Sequence, residues 1–152
     1  MILVLLMFFG ACAGSTGGGI KVSRFVILTK ATTAELRKLL HPRSLRVMTI
    51  DGKQVSLETI QGVQGYLVVY LMIFIASILI VSLDNYDMTT SVTAVAATLN
   101  NIGPGLNLVG PTGNYAFFSP LSKIILTLDM LFGRLELFPM VILLLPSTWR
   151  KH

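Results

Sequence analysis

Two glycine-rich stretches and one arginine hold most of the chemistry open to this sequence. Residues 14–19 read Gly14-Ser15-Thr16-Gly17-Gly18-Gly19, followed by Ile20 and Lys21, and residues 100–105 read Asn100-Asn101-Ile102-Gly103-Pro104-Gly105. Backbone of this kind can cradle a phosphate with its N–H groups or turn its carbonyls onto a cation. The phosphate use fails on spacing, because Lys must follow the second glycine of GxxxxG directly and here Ile20 intervenes. For residues 100–105 the two readings are a cation-binding row of carbonyls and an ordinary Gly-Pro turn. Arg134 stands inside an apolar segment, where a guanidinium costs several kcal/mol unless it faces a polar interior. Asp129 and Glu136 lie at i−5 and i+2 from it, neither of which brings helical side chains together, so its partner is expected on another segment. Cys12 is the only cysteine, which excludes an internal disulfide. His41 and His152 stand far apart in polar segments. No catalytic nucleophile or acid–base pair stands out, and the expected class is not an enzyme.

The elements that must position these residues belong in a membrane. Of the 152 residues, 53% are hydrophobic and only 12% charged, with a mean hydropathy of +0.76. That balance lies outside the range of ordinary soluble domains. The net charge of +5 does not point to nucleic acid, because the basic residues are not spread over the chain. Lys21, Arg24, Lys30, Arg37, Lys38, Arg43, Arg46 and Lys53 supply eight of the twelve Lys and Arg within one short stretch, the pattern of a cytoplasmic loop. The apolar start followed by Gly10-Ala11-Cys12-Ala13 has the outline of a cleavage site, but no Lys or Arg precedes it as a signal peptide requires. A start inside an apolar helix of a longer chain is the expectation.

Residues 1–30 then read as a transmembrane helix broken at membrane depth by residues 14–19. Residues 31–58 read as a basic loop with turn chemistry at "HPRS" and "DGKQ". A first span covers about residues 59–83 and ends at the acidic "DNYD", placed outside. The apolar run 88–99, about 18 Å long as a helix, reaches halfway through a bilayer and suggests a re-entrant element. After residues 100–105 and a Gly/Pro/Asn-rich return, a second span covers about 119–145 and ends in "PSTWRKH" at the cytoplasmic interface. Non-helical backbone at membrane depth is tolerated only where protein or a water-filled cavity satisfies it, so residues 14–19 are expected to border a polar path. The expected fold is an all-α integral membrane protein.

"CAGSTGGGIKVSRF", a basic loop with "HPR", then "NNIGPG", "VGPTGNY" and "MLFGRLELFP…WRK" occur in an order that resembles the carboxy-terminal part of a Trk-type potassium uptake protein, in the Trk/Ktr/HKT superfamily. The resemblance covers nearly the whole chain, and "GRLE" with "WRK" fits the Trk branch. It implies the end of the third and all of the fourth of four M1-pore helix-filter-M2 units folded around a central pore. By this resemblance residues 100–105 are the filter, with the carbonyls of Asn100, Asn101, Ile102 and Gly103 on K⁺ and with Pro104 and Gly105 in support. Gly103 falls on the middle glycine of T-V-G-Y-G, while Pro104 departs from that pattern. The carboxyl end of helix 88–99 adds a partial negative charge favouring a cation, and the outer acids a mild attraction. Residues 14–19 with Lys21 become the gating loop below the filter, and Arg134 a pore-facing charge.

The resemblance further implies a multi-pass protein of the bacterial cytoplasmic (inner) membrane, with residues 31–58 and the carboxy terminus cytoplasmic. The implied partners are the remaining units of the same parent chain, a second copy in a homodimer, a cytosolic nucleotide-binding regulatory subunit and membrane lipid, without nucleic acid. No cofactor is implied, K⁺ being the transported ion. The rival readings are a tetrameric cation channel subunit, which Pro104 and the preceding broken span disfavour, and a membrane scaffold without a pore.

Overall fold

A computed structural model describes residues 6–8, 10, 18–40, 49–50 and 53–135. Helix α1 spans Val22–Leu40, α2 Leu57–Val81, α3 Met88–Leu99 and α4 Pro120–Leu135. Two-residue strands β1 (Thr49–Ile50) and β2 (Lys53–Gln54) pair antiparallel between α1 and α2, Thr49 opposite Gln54 and Ile50 opposite Lys53. The packed body is helical.

Among the described residues, α2 with the 3₁₀ turn Ser82–Asp84 is the one helix long and apolar enough to cross a membrane. Ser56 opens it, its hydroxyl accepting the Thr59 N–H at 3.2 Å. Asn85, at φ 57°, closes the 3₁₀ turn. Val63, Tyr66, Tyr70, Ser77 and Val81 form its buried stripe at helical spacing. The opposite face exposes Val68, Leu71, Met72, Ile75 and Leu79. An apolar face of that size suits lipid or other apolar protein and not water.

Helix α3 is wedged between α2 and α4, and Ala94, Ala96, Ala97 and Leu99 are fully buried. Asp87 caps it, Oδ2 accepting the Thr89 N–H at 3.1 Å. The same carboxylate oxygen accepts from Asn107 Nδ2 at 3.2 Å, and Asp84 Oδ2 accepts the Ser119 N–H at 3.0 Å. Asp84 and Asp87 of "DNYD" thus also anchor the return loop. Helix α4 opens on Pro120, with the Ser119 hydroxyl accepting the Ser122 N–H at 3.2 Å. The second span expected over 119–145 can be followed only to Leu135, its remainder lying outside the described residues.

The basic stretch departs from the expected loop at residues 31–58. Helix α1 continues through residue 30 to Leu40. The segment "ATTAELRKLL" is polar but built largely of good helix formers and contains neither Gly nor Pro, the next breaker in the sequence being Pro42. Polarity marks where the chain leaves the apolar layer and does not by itself end a helix.

Candidate ion-conduction site

The site is built on how α3 ends. Asn100 is its C-cap, and Asn101 follows in the left-handed region at φ 55°. The Asn101 N–H donates to the Thr98 carbonyl at 3.0 Å and the Ile102 N–H to the Ala97 carbonyl at 2.9 Å. That pair of bonds is the Schellman ending of a helix, with Asn in place of the usual glycine. The chain then goes beyond an ordinary cap. The Gly103 N–H also turns back to the Ala97 carbonyl, at 3.5 Å, and Gly103 has φ +100°. Positive φ therefore falls on residues 101 and 103 and not on Ile102 between them.

This alternation has a directional consequence. In a trans peptide the N–H and C=O point opposite ways. Three successive N–H groups gathered onto the last turn of α3 therefore aim the carbonyls of Asn100, Asn101 and Ile102 away from it. A plain extended strand would alternate its carbonyls between two sides. Ile102, Gly103 and Pro104 are exposed, so the stretch lies at an edge of the described body. Gly105 is buried, its N–H donating to the Val109 carbonyl at 2.7 Å. The Gly103 carbonyl accepts from the Tyr115 hydroxyl at 2.7 Å. Within the expected set from Asn100 to Gly103, this last carbonyl alone is held by a side chain of the return loop.

Asn100 joins the stretch to its surroundings. Its Oδ1 accepts from the Tyr70 hydroxyl at 2.9 Å and its Nδ2 donates to the Ala96 carbonyl at 2.8 Å. The end of the glycine-rich stretch packs against the same residue. A Cβ on Gly18 would lie 2.7 Å from the Asn100 carbonyl oxygen, and one on Gly19, at φ +82°, 2.7 Å from Asn100 Oδ1. The Lys21 carbonyl opens α1 by accepting the Arg24 N–H at 2.9 Å. Gly14, Ser15, Thr16 and Gly17 lie outside the described residues.

On the other flank α4 crosses the end of α3. A Cβ on Gly133 would collide with the Leu99 carbonyl oxygen and lie 2.7 Å from Asn101 Nδ2, which donates to the Met130 carbonyl at 3.0 Å. Arg134, one residue on, leaves the helix about 100° around from that contact. It is exposed, at the depth of the α3 terminus. Asp129 is buried, with Oδ1 accepting from Ser77 Oγ at 2.8 Å and no partner for Oδ2 among the described residues.

Tyr70, Gly133 and Tyr115 were not singled out by sequence reasoning. Gly133 had a signal, being a lone glycine in an apolar helix beside Arg134. Tyr70 is a polar-tipped ring in an otherwise apolar run. Tyr115 sits in a loop without period, and its signal is its place at the end of "VGPTGNY".

Residues 1–151 match the family described as cation transport protein, TrkH. The chain is 38% identical over 151 residues to the Trk system potassium uptake protein TrkH of Salmonella typhimurium, and 35% identical to TrkG of Escherichia coli. Each match covers 99% of this chain and 31% of the relative, so the chain spans about a third of their length. The crystal structure of the potassium transporter TrkH from Vibrio parahaemolyticus superposes with a TM-score of 0.85 at 38% identity, covering 98% of this chain and 31% of the other.

Proposed function

Because the chain belongs to the TrkH family of cation transport proteins, we propose that it forms part of the ion path of a bacterial potassium uptake protein. It supplies one complete helix–pore helix–filter–helix unit and the inner end of the unit before it. The observation that carries the reading is the tethering of three successive N–H groups, those of Asn101, Ile102 and Gly103, to the Thr98 and Ala97 carbonyls, which turns the Asn100, Asn101 and Ile102 carbonyls away from α3 just before the chain becomes exposed at Ile102. Carbonyl oxygens so arranged replace an ion's hydration shell. The carboxyl end of α3 adds its partial negative charge at the same place. The chemistry is binding and release of K⁺, with no bond made or broken, and the protein is not an enzyme.

Gating is assigned to the glycine-rich stretch. Gly18 lies against the Asn100 carbonyl with no room for a side chain, so any movement of the stretch alters the inner end of the row. In the full-length parent protein, Gly18→Ala is expected to lower the maximal Rb⁺ uptake rate on the order of tenfold, equivalent to about 1.4 kcal/mol. Uptake at the wild-type rate in equally abundant protein would remove the stretch from the gate.

Arg134 supplies a positive charge facing the path at the depth of the inner end of the row. Arg134→Ala is expected to raise ion flux or change its affinity for Rb⁺. Loss of assembled protein, with no change in transport per molecule, would make the guanidinium a structural partner of another unit. The homodimer, the cytosolic nucleotide-binding subunit and the inner-membrane placement rest on the resemblance to Trk systems, and cross-linking of the purified parent protein tests the first.

The pore-less scaffold is the competing reading. Expression of the parent chain in a bacterial strain lacking its own potassium transporters separates the two. Rb⁺ uptake suppressed by external K⁺ is expected, and its absence from membranes that contain the protein would favour the scaffold.

A further inference from the structure

The outer end of the carbonyl row is held differently from the rest. The Asn100, Asn101 and Ile102 peptides are each tethered through an N–H to the Thr98 or Ala97 carbonyl. The next peptide joins Gly103 to Pro104, which has no N–H, so it cannot be tethered in this way. Sterics do not hold it either. Gly103 carries no side chain, and a Cβ there would meet nothing within 4 Å. The Tyr115 hydroxyl supplies the hold, donating to the Gly103 carbonyl at 2.7 Å. That length is typical of a sound O–H···O bond.

The donor is braced where the acceptor is not. Tyr115 packs against Phe118, ring centroids 6.1 Å apart, and both belong to the cluster built on buried Val81 and Leu126. The following backbone is fastened twice, by Lys123 Nζ on the Ala116 carbonyl at 2.7 Å and by the Tyr86 hydroxyl on the Phe117 carbonyl at 2.8 Å. A cavity of about 450 Å³ adjoins the bond, with Thr98, Gly103, Tyr115 and Lys123 in its wall. The Gly103 peptide has space to rotate once released.

We infer that Tyr115 is a positioning residue for ion selection: its hydroxyl directs the Gly103 carbonyl and so decides whether this unit presents a fourth oxygen to the ion beyond Asn100, Asn101 and Ile102. The inference rests on the filter reading above and adds to it the residue that sets the outer ion site. The number and field strength of the carbonyl dipoles around a dehydrated cation are one determinant of which cation a site accommodates, so the phenol acts on selectivity and not on whether a pore exists.

Tyr115→Phe in the full-length parent protein tests it, because the ring is kept and the donor lost. Na⁺ and K⁺ are titrated separately against Rb⁺ uptake. The ratio of their half-inhibitory concentrations is expected to change roughly fivefold, the equilibrium factor of one ordinary hydrogen bond. Uptake itself should persist at equal abundance. An unchanged ratio in an active Tyr115→Phe protein overturns the inference. Should that protein fail to accumulate, Tyr115→Leu, which keeps apolar bulk against Phe118 and lacks the donor, is read in the same assay. A shift in its ratio supports the inference, and an unchanged ratio overturns it. Gly103→Asp run alongside separates the two levels. A silent Tyr115→Phe beside an inactive Gly103→Asp removes only the role of Tyr115, whereas Rb⁺ uptake at the wild-type level in Gly103→Asp removes the filter reading and this inference with it.

Discussion

Replacing Gly133 by alanine is expected to destabilise the full-length parent protein by about 3 kcal/mol and to remove most of its Rb⁺ uptake. The sign of this result is informative, because propensity alone predicts the opposite. A glycine inside a helix is about 1 kcal/mol less favourable than alanine. Gly133→Ala would therefore stabilise a helix whose face was open at that point. Here the added methyl collides with the Leu99 carbonyl oxygen and lies 2.7 Å from Asn101 Nδ2. Both are fixed, the first as backbone of a buried helix and the second by its bond to the Met130 carbonyl. Relief requires α4 to move off the end of α3, which carries the candidate filter. Gly62 in α2 is the matched control, since a Cβ there meets nothing within 4 Å, and Gly62→Ala is expected to be neutral or slightly stabilising. Thermal inactivation of the detergent-solubilised proteins measures both. A stabilised Gly133→Ala with full uptake would contradict the packing of α4 on the α3 terminus.

The parts of this fold that follow from composition and length were legible in the sequence. Helix α2 contains a long run without a charge, and α3 is an Ala/Thr/Val run of twelve residues set between Asp87 and the Asn-Asn-Ile-Gly-Pro break. Neither depends on contacts with distant residues. Helix α1 was harder because two signals conflict, polarity starting near residue 30 and helix propensity lasting to Leu40. The composition of the candidate site was legible as well, since Gly and Pro at 103–105 after a half-length helix already mark backbone made to leave regular structure. Its contacts were not. Tyr70 to Asn100, Tyr115 to Gly103 and Gly133 to Leu99 join residues far apart in the chain, and no periodicity encodes them. The "DNYD" acids show the same limit. Their charge is plain from the sequence, but the bonds that Asp84 and Asp87 accept from the Ser119 N–H and the Asn107 amide are not.

The largest expected effect falls on Gly103, where φ is +100°, a region L side chains rarely adopt. Gly103→Asp acts in two ways. It strains the turn that separates the row of carbonyls from Pro104, and it sets a carboxylate beside the candidate outer ion site. The space around the position means that no neighbour is displaced, so the protein should reach the membrane in normal amounts. A bound cation would then be held too tightly or in altered geometry, and conduction requires weak, successive sites. The measurement is Rb⁺ uptake into a bacterial strain without potassium transporters of its own, with the full-length parent protein as wild type and as Gly103→Asp at equal membrane abundance. The expected result is uptake by the wild type and none by Gly103→Asp. Equal uptake by both would show that residues 100–105 are not the filter, and the assignment of this chain to the ion path would lose its central support.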